Sequence, residues 1–145
     1  MIFAWQSVII MEACDKELFA ALPCRTALAE FRPAQITSDI MRGLSYLHAL
    51  KILHRDLNPW NILLKNVEGG VVAKISDLGM AVQCQTQLFG REGIDESSFT
   101  SVFSSPEFGT SRGYGFPADI FSAGMTLITI WCIAQDQDEI IEAVE

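Results

Sequence analysis

The chain has 145 residues, of which 50% are hydrophobic and 19% charged, and its formal net charge is −8. That length and composition predict one folded domain and exclude a largely disordered chain. The acidic balance argues against nucleic acid or an anionic membrane as a partner, because phosphate groups are bound by clustered lysines and arginines. Its 4 cysteines form no CxxC pair, which argues against zinc and predicts reduced thiols in an intracellular, cytoplasmic protein.

The first half of the chain is predicted to contain one strand and two helices. Residues 7–11 (Ser-Val-Ile-Ile-Met) have the composition of a short buried strand. Residues 16–22 predict a short helix, which a proline ends. From Pro33 onward, apolar residues recur at spacings of three and four, which predicts a helix with one apolar face as far as about Ala49.

The second half is predicted to contain a β-hairpin, a long loop and an apolar helix. Residues 62–65 and 71–76 have strand composition and flank a Glu-Gly-Gly turn. Residues 80–106 show no sustained period, which is typical of a functional loop. Ala118–Ala134 predicts a helix buried in the core, since its uncharged run of 15 residues is shorter than the ~20 that a membrane span needs. Helices with small strands predict an α-rich α+β fold.

Polar chemistry is concentrated in residues 54–64, HRDLNPWNILL, which follow the predicted long helix. Phosphoryl transfer needs a base that orients the attacking hydroxyl and oxygen ligands that hold divalent cations. Asp56 can act as the base, and Asn61, five residues later, can offer an amide oxygen to a metal. Asp77 follows the predicted hairpin and can supply a carboxylate. Because a hairpin returns the chain to its start, Asp77 is expected beside Asn61.

Several ordered motifs resemble the eukaryotic protein kinase family, in its serine/threonine or tyrosine-kinase-like group. SYLHALKILHRDLNPWNILL resembles the end of the family's long helix, its catalytic loop and the next strand. KISDLGMA resembles the magnesium-binding DFG segment, SSPE resembles the APE segment, and PADIFSAGMTLITIW resembles the central helix of the large lobe. SVIIMEACDKELFAAL resembles the last small-lobe strand, the hinge and the helix after it.

The resemblance implies a protein-kinase-like α+β domain of which these residues form a part. Residues 1–14 would be the last small-lobe strand and the hinge, and residues 15–145 an incomplete large lobe. ATP and Mg²⁺ are the implied cofactors, and a protein serine or threonine is the implied substrate. No nucleic acid, no membrane segment and no particular oligomeric state is implied.

The resemblance also assigns catalytic roles. Asp56 would be the catalytic base, with Asn61 and Asp77 as Mg²⁺ ligands. Arg55 would pair with an activation-loop phosphate or carboxylate. Thr100 stands where the loop threonine of serine/threonine-directed members approaches the base.

The nucleotide side of the site is implied by the hinge-like segment. Met11 falls at the gatekeeper position, and Glu12 and Cys14 stand where backbone groups bind adenine. Leu63 would pack under the adenine ring. These positions predict an adenine site between the hinge and the strand after the catalytic loop.

Supporting roles are implied for four further residues. His54 would pack beneath the DLG segment, in which Leu78 keeps the apolar character of the usual phenylalanine. Asp119 would hold the catalytic-loop backbone from the central helix. Glu107 belongs to the APE-like segment, and its usual arginine partner would lie in later helices.

Four positions depart from or extend the family pattern. Asn58 replaces a lysine that contacts phosphate and marks the tyrosine-kinase-like subgroup. Phe99 and Phe103 stand where glycine and tyrosine are usual. Glu96 lies near the usual phosphate position, so we treat it as a hypothetical constitutive partner of Arg55.

The glycine-rich loop and the VAIK-like lysine of the family have no match in these 145 residues. Since both act on the ATP phosphates, the chain by itself is expected to be inactive. One alternative is a truncated or pseudokinase-like module that binds partners without catalysis. Another is a small-molecule kinase of the aminoglycoside or choline type, which shares the H-x-D-x-x-x-x-N pattern; the SSPE segment counts against it.

Overall fold

The computed structural model describes residues 9–22, 32–83, 102–107 and 115–142, with side chains in the last range given as far as residue 133. The elements in chain order are β1 (Lys16–Glu17), α1 (Leu18–Ala21), α2 (Pro33–Ala49), β2 (Ile52–Leu53), β3 (Ile62–Val67), β4 (Gly70–Ile75), β5 (Val82–Gln83) and α3 (Phe116–Glu142). A short 3-10 helix, Pro59–Asn61, lies between β2 and β3.

Helix α2 is the long helix that the sequence predicts, with the predicted bounds. Pro33 occupies its first turn, where the backbone N–H that proline lacks has no partner within the helix anyway. Ile36, Ile40 and Leu44 lie along one face and are buried. This face packs α2 against β4 and α3. The helix ends at Ala49, close to the loop that carries the polar motif.

Strands β3 and β4 form the predicted hairpin and carry it further than predicted, up to the turn. Ile62 pairs with Ile75 and Val67 with Gly70 in antiparallel register. Strand β1 pairs with the other edge of β3, so the sheet order is β1-β3-β4. Gly69 has a φ of 89°, a conformation that L side chains rarely adopt, so the turn favours glycine there.

One apolar core lies between α1, α2, the sheet and α3. Leu57, in the loop before the 3-10 helix, belongs to it, so the loop is anchored by apolar contact as well as by hydrogen bonds. Each large aliphatic side chain buried here contributes about 1.5–3 kcal/mol. The main members are Leu18, Leu22, Ile36, Ile40, Leu44, Leu57, Ile62, Leu64, Ala123 and Ile130.

The strand predicted at residues 7–11 is wrong over its described part. Ile9, Ile10 and Met11 lie outside any strand, and their side chains are 82%, 94% and 71% exposed. A β-branched, apolar composition favours a strand only where a neighbour can pair with it and cover its side chains. In the described ranges the edge of β3 that faces away from β4 pairs with β1 and not with residues 9–11. Residues 7 and 8 lie outside the described residues.

Two further elements differ from the sequence expectation. The helix predicted over residues 16–22 begins later, because its first two residues pair with β3 as strand β1 and leave one helical turn, Leu18–Ala21. Within the predicted loop 80–106, strand β5 pairs with β2 in antiparallel fashion. Most of that loop, residues 84–101, lies outside the described residues.

Helix α3 is longer than the predicted Ala118–Ala134 and continues into the acidic segment that follows. Ala118, Ala123 and Ile130 are buried, but other apolar side chains are exposed, so the buried helix that the sequence predicts is buried on one side only. Residues 116–133, with a mean hydropathy of 1.5, also have the length and composition of a membrane span, and 33% of them are buried. Length and composition do not separate a membrane helix from a core helix, because the core helices of many proteins have the same properties.

Candidate active site

The polar loop that begins at His54 is held from behind by Asp119, in the first turn of α3. The Asp119 carboxylate is 1% exposed. Its Oδ2 accepts the backbone N–H of His54 at 2.9 Å and lies 2.9 Å from His48 Nε2, and its Oδ1 accepts the N–H of Arg55 at 2.9 Å. Arg55 has a φ of 69°, which is strained for a residue with a side chain, so these bonds fix a strained turn.

His54 joins this loop to the segment after β4. Its side chain is fully buried, and its Nε2 lies 2.9 Å from the Ser76 carbonyl oxygen. The Asp56 N–H donates to His54 Nδ1 at 3.3 Å. The ring tautomer that satisfies both contacts accepts at Nδ1 and donates from Nε2 to the Ser76 carbonyl. The geometry suits the structural role that the resemblance implies for His54.

The Asp56 carboxylate is held by two side-chain amides, one on each oxygen. Asn61 Nδ2 donates to Asp56 Oδ2 at 2.9 Å and to the Asp56 carbonyl at 2.7 Å. Asn58 Nδ2 donates to Asp56 Oδ1 at 3.0 Å and to the same carbonyl at 3.2 Å. A carboxylate oxygen can accept more than one hydrogen bond, so each keeps capacity for a hydroxyl donor. Asp56 is half-buried, and its carboxylate is fixed in orientation.

The hairpin brings Ser76, the residue before Asp77, into contact with Asn61. The Ser76 N–H and hydroxyl both donate to the Asn61 carbonyl, at 2.8 and 3.0 Å. Asp77 is the next residue; it is exposed, has a φ of 58°, and accepts the Gly79 N–H through Oδ1 at 3.0 Å. The amide nitrogen of Asn61 is bonded to Asp56, so the oxygen is its atom for a cation.

These donors suit a magnesium ion that the protein holds only in part. The described ranges contain no cluster of three or more His, Cys, Asp or Glu side chains that could enclose a metal. One carboxylate and one amide oxygen, with water and substrate phosphates completing the octahedron, form the usual kind of site for Mg²⁺. The residues present therefore fit the ion that the resemblance implies.

The segment predicted as the hinge lies along β3 and is tied to the hairpin by charge. The Glu12 carboxylate bonds Lys65 through Oε1 and lies 3.0 Å from Lys74 Nζ through Oε2. The hydrogen bonds to Lys65 and Lys74 lower the pKa of Glu12, and the bond to Glu12 raises the pKa of Lys65. Asp15 N–H donates to the Leu64 carbonyl at 2.9 Å.

The other predicted nucleotide residues are placed around this segment. Cys14 is half-buried and precedes the residue bonded to β3. Leu63 is half-buried on β3, where it pairs with Glu17 of β1 and Lys74 of β4. Met11 is exposed. Their roles toward adenine stay predictions.

The remaining predicted residues are placed as follows. The Arg55 Nε donates to the Met80 carbonyl, which ties the loop to the segment after the DLG motif. Leu78 is 52% exposed, and Glu107 is half-buried. Thr100, with Glu96 and Phe99, lies outside the described residues.

Sequence reasoning missed what Asn58 and the aromatic residues do. Trp60 stacks on Phe19 with ring centroids 4.3 Å apart and meets Phe103 edge-on at 5.9 Å. The Asn58 side chain is 3% exposed and bonds both Asp56 and the 3-10 helix. One signal was available: an asparagine directly before a proline is a frequent start of a helical turn.

Comparison with solved structures defines the class of fold. The yeast RNA Pol II CTD kinase CTDK-1 complex contains a chain that superposes with a TM-score of 0.66 at 27% identity, covering 84% of this chain and 38% of that one. The predicted α+β, kinase-like fold is therefore confirmed.

The family follows from the sequence comparisons: the chain belongs to the protein kinase family, whose domain, described as "Protein kinase domain", matches residues 4–138. It is 33% identical over 125 residues to eukaryotic translation initiation factor 2-alpha kinase 1 of Plasmodium falciparum, covering 85% of this chain and 8% of that protein. It is 35% identical over 122 residues to serine/threonine-protein kinase cst-1 of Caenorhabditis briggsae, covering 83% and 24%. It is 37% identical over 102 residues to mouse mitogen-activated protein kinase kinase kinase 3, covering 70% and 16%.

The chain thus spans a quarter or less of the length of these curated relatives. It corresponds to part of a kinase domain, as the motifs predict. The relatives include proteins named as serine/threonine kinases. The identification also favours a protein kinase over the small-molecule kinase alternative.

Proposed function

We propose that the protein transfers the γ-phosphoryl group of ATP to a serine or threonine hydroxyl of a protein, with Asp56 as the base. The observation that carries this proposal is the Asp56 carboxylate, held by one amide on each oxygen at 2.9 and 3.0 Å. A base must present its lone pair to the hydroxyl at a fixed place, and two neutral donors fix it without neutralising its charge.

In this mechanism the substrate hydroxyl lies against Asp56, which accepts its proton as the bond from the hydroxyl oxygen to the γ-phosphorus forms. The bond from that phosphorus to the β–γ bridging oxygen breaks in the same step, and ADP leaves. Asn61 Oδ1 and the Asp77 carboxylate would hold Mg²⁺. When bound, that ion would neutralise charge on the transferring phosphoryl group. Thr100 would help to orient the acceptor residue. The hinge backbone at Glu12 and Cys14, with Leu63, would position adenine, and the ion pairs of Glu12 support that segment.

His54, Arg55 and Asp119 keep the loop in its strained shape. The Asp119 carboxylate accepts both backbone N–H groups that precede Asp56. Position is the main contribution of these residues, since phosphoryl transfer depends largely on orientation and electrostatics. We place the protein in the cytoplasm, because its 4 unpatterned cysteines suit a reducing compartment.

We further propose that the 145 residues alone transfer no measurable phosphate, since they include no glycine-rich loop and no VAIK-like lysine. The competing proposal, an interaction module without catalysis, retains the same loop but predicts no turnover in any longer form.

The test uses the full-length protein with radiolabelled ATP, Mg²⁺ and myelin basic protein as a general acceptor. Asp56→Asn should lower kcat by about 10³-fold or more, as expected for loss of a general base together with its positioning role. Glu68→Gln, the same acid-to-amide change in the exposed hairpin turn, is the matched control and should retain wild-type activity. Equal activity of Asp56→Asn and wild type would contradict the proposal, and inactivity of both would favour the interaction module.

A further inference from the structure

Asn58 is the buried polar side chain next to the proposed base, and its amide is fully used. It is 3% exposed. Its Oδ1 accepts the backbone N–H of Trp60 at 3.0 Å and of Asn61 at 3.2 Å. Its Nδ2 donates to Asp56 Oδ1 at 3.0 Å and to the Asp56 carbonyl at 3.2 Å. The two ends of one amide therefore serve two different neighbours.

The oxygen end explains the local backbone. Asn58 is extended, with φ −158° and ψ 169°, and stands directly before the 3-10 helix that begins at Pro59. An acceptor at this cap satisfies the Trp60 N–H and shares the Asn61 N–H, which also donates to the Asn58 backbone carbonyl at 3.1 Å. Aspartate or serine could also accept there, whereas lysine carries donors only.

The nitrogen end explains why the residue is an amide. Aspartate would cap the helix equally well, but it would place an anionic oxygen where Nδ2 now meets the Asp56 carboxylate. Asn61 holds Oδ2 of the same carboxylate, so without Asn58 the carboxylate would be fixed at one oxygen and free to rotate. Both amides are needed to fix its plane.

Taking the proposed function as given, we infer that Asn58 is a positioning residue for the base: its amide orients the Asp56 carboxylate toward the substrate hydroxyl while its oxygen caps the helix that carries Asn61. Asn58 therefore has a role of its own where most serine/threonine kinases have a lysine, in addition to marking a subgroup. Its contribution falls on the chemical step and leaves ATP binding unaffected.

The decisive variant is Asn58→Asp in the full-length protein, because it keeps the cap and reverses the contact with Asp56. We expect kcat to fall roughly 10–100-fold, the effect of a misplaced base, while KM for ATP changes less than about twofold. We also expect Tm to fall by roughly 4 °C or more, from two carboxylates in contact. Gln83→Glu, the same amide-to-acid change at an exposed position of β5, is the control and should alter neither quantity appreciably.

A swap separates this contact from other effects and needs no activity. In Asp56→Asn/Asn58→Asp the donor and the acceptor are exchanged, so the amide at position 56 can donate to the carboxylate at position 58. We expect the double variant to recover the Tm of Asp56→Asn to within about 1–2 °C, although it remains inactive.

Two results would overturn the inference: Asn58→Asp as stable and as active as wild type, which would leave the residue as a cap alone, or a double variant that shows the full Tm loss of Asn58→Asp. The proposed function fails differently, through a wild-type protein without phosphoryl transfer. In that case a Tm recovered in the double variant would still establish the contact, and the catalytic part of the inference would be rejected.

Discussion

At the residue scale, the site is built from buried polar groups that each have named partners. His54, Asn58 and Asp119 are at most 3% exposed, and all three are hydrogen bonded to the loop or to the segment after β4. In the described ranges the Ser105 hydroxyl is the buried side-chain polar group without a partner. A satisfied buried network is costly to break, because each orphaned group loses its hydration without compensation.

Asp119 is the residue whose loss should cost most. Asp119→Ala removes the acceptor of two backbone N–H groups and of His48 in a buried place. We expect the free energy of unfolding to fall by about 2–4 kcal/mol, the range for orphaned buried donors and a broken network. Urea denaturation followed by circular dichroism measures this, and phosphoryl transfer by the full-length protein should fall with it.

An exposed aspartate provides the control for that prediction. Asp15 Oδ2 accepts the Asn66 N–H at 2.7 Å, so it makes the same kind of bond at the surface. Asp15→Ala should cost less than about 1 kcal/mol, because water can replace the lost acceptor. Equal costs for the two variants would show that burial of Asp119 does not set its contribution.

At the element scale, the parts of the fold with strong local signals were predictable. The proline and the spacing of apolar residues define α2, and two strand-like runs around a Glu-Gly-Gly turn define the hairpin. The contact between Asn61 and Ser76, the residue before Asp77, followed from the hairpin alone. The prediction of a strand at residues 7–11 was wrong over its described part, because composition does not indicate whether a partner strand is present. The bonds of Asn58 to Asp56 and to the 3-10 helix were not predictable from the family pattern, because that pattern has a lysine at this position and lysine cannot accept a hydrogen bond.

The end of α2 gives a prediction at this scale. Lys51 is exposed and holds φ 61°, where an L side chain is disfavoured and glycine is not. Lys51→Gly should therefore stabilise the protein by up to about 1 kcal/mol, the relief of strain being partly offset by greater freedom of the unfolded chain. Lys51→Val, a β-branched residue, should destabilise it. Thermal unfolding compares the two, and a lower Tm for the glycine variant than for the valine variant would contradict the argument.

The ion pairs between the hinge segment and the hairpin give a prediction about pH. The folded protein lowers the pKa of Glu12 below its ordinary 4.5, because Lys65 and Lys74 donate to it. A lowered carboxyl pKa adds stability above the unfolded value, and that stability is lost as pH falls through the folded pKa. Contact of the segment with β3 should therefore weaken below about pH 4.5. In Glu12→Gln this part of the pH dependence should be absent.

Hydrogen exchange of the Asp15 amide, which is bonded to Leu64, measures that contact. In wild type its protection factor should decrease as the pH is lowered below about 4.5. It should also decrease at high salt, because the ion pair of Glu12 with Lys65 is solvent-accessible and is screened by ions. A protection factor with the same pH dependence in Glu12→Gln would show that another group is responsible.

At the scale of the whole molecule, the acidic charge and the apolar surface act in opposite directions. The net charge of −8 keeps copies of the chain apart. Helix α3 nevertheless exposes Ile120, Phe121, Ile128 and Trp131, at 47%, 40%, 56% and 43%. Clustered apolar side chains of this kind favour association when nothing covers them.

The 145 residues studied alone should therefore self-associate in a salt-dependent way, because salt screens the repulsion and leaves the apolar attraction. Ile128→Lys places a charge at the most exposed of these positions and should reduce association, whereas its helical conformation should be kept, since lysine is a good helix former. Ser38→Lys, at a partly exposed position on α2, is the control and should leave association unchanged. Sedimentation velocity at low and high salt measures the effect. If the chain stayed monomeric at all concentrations in high salt, this face of α3 would not drive association.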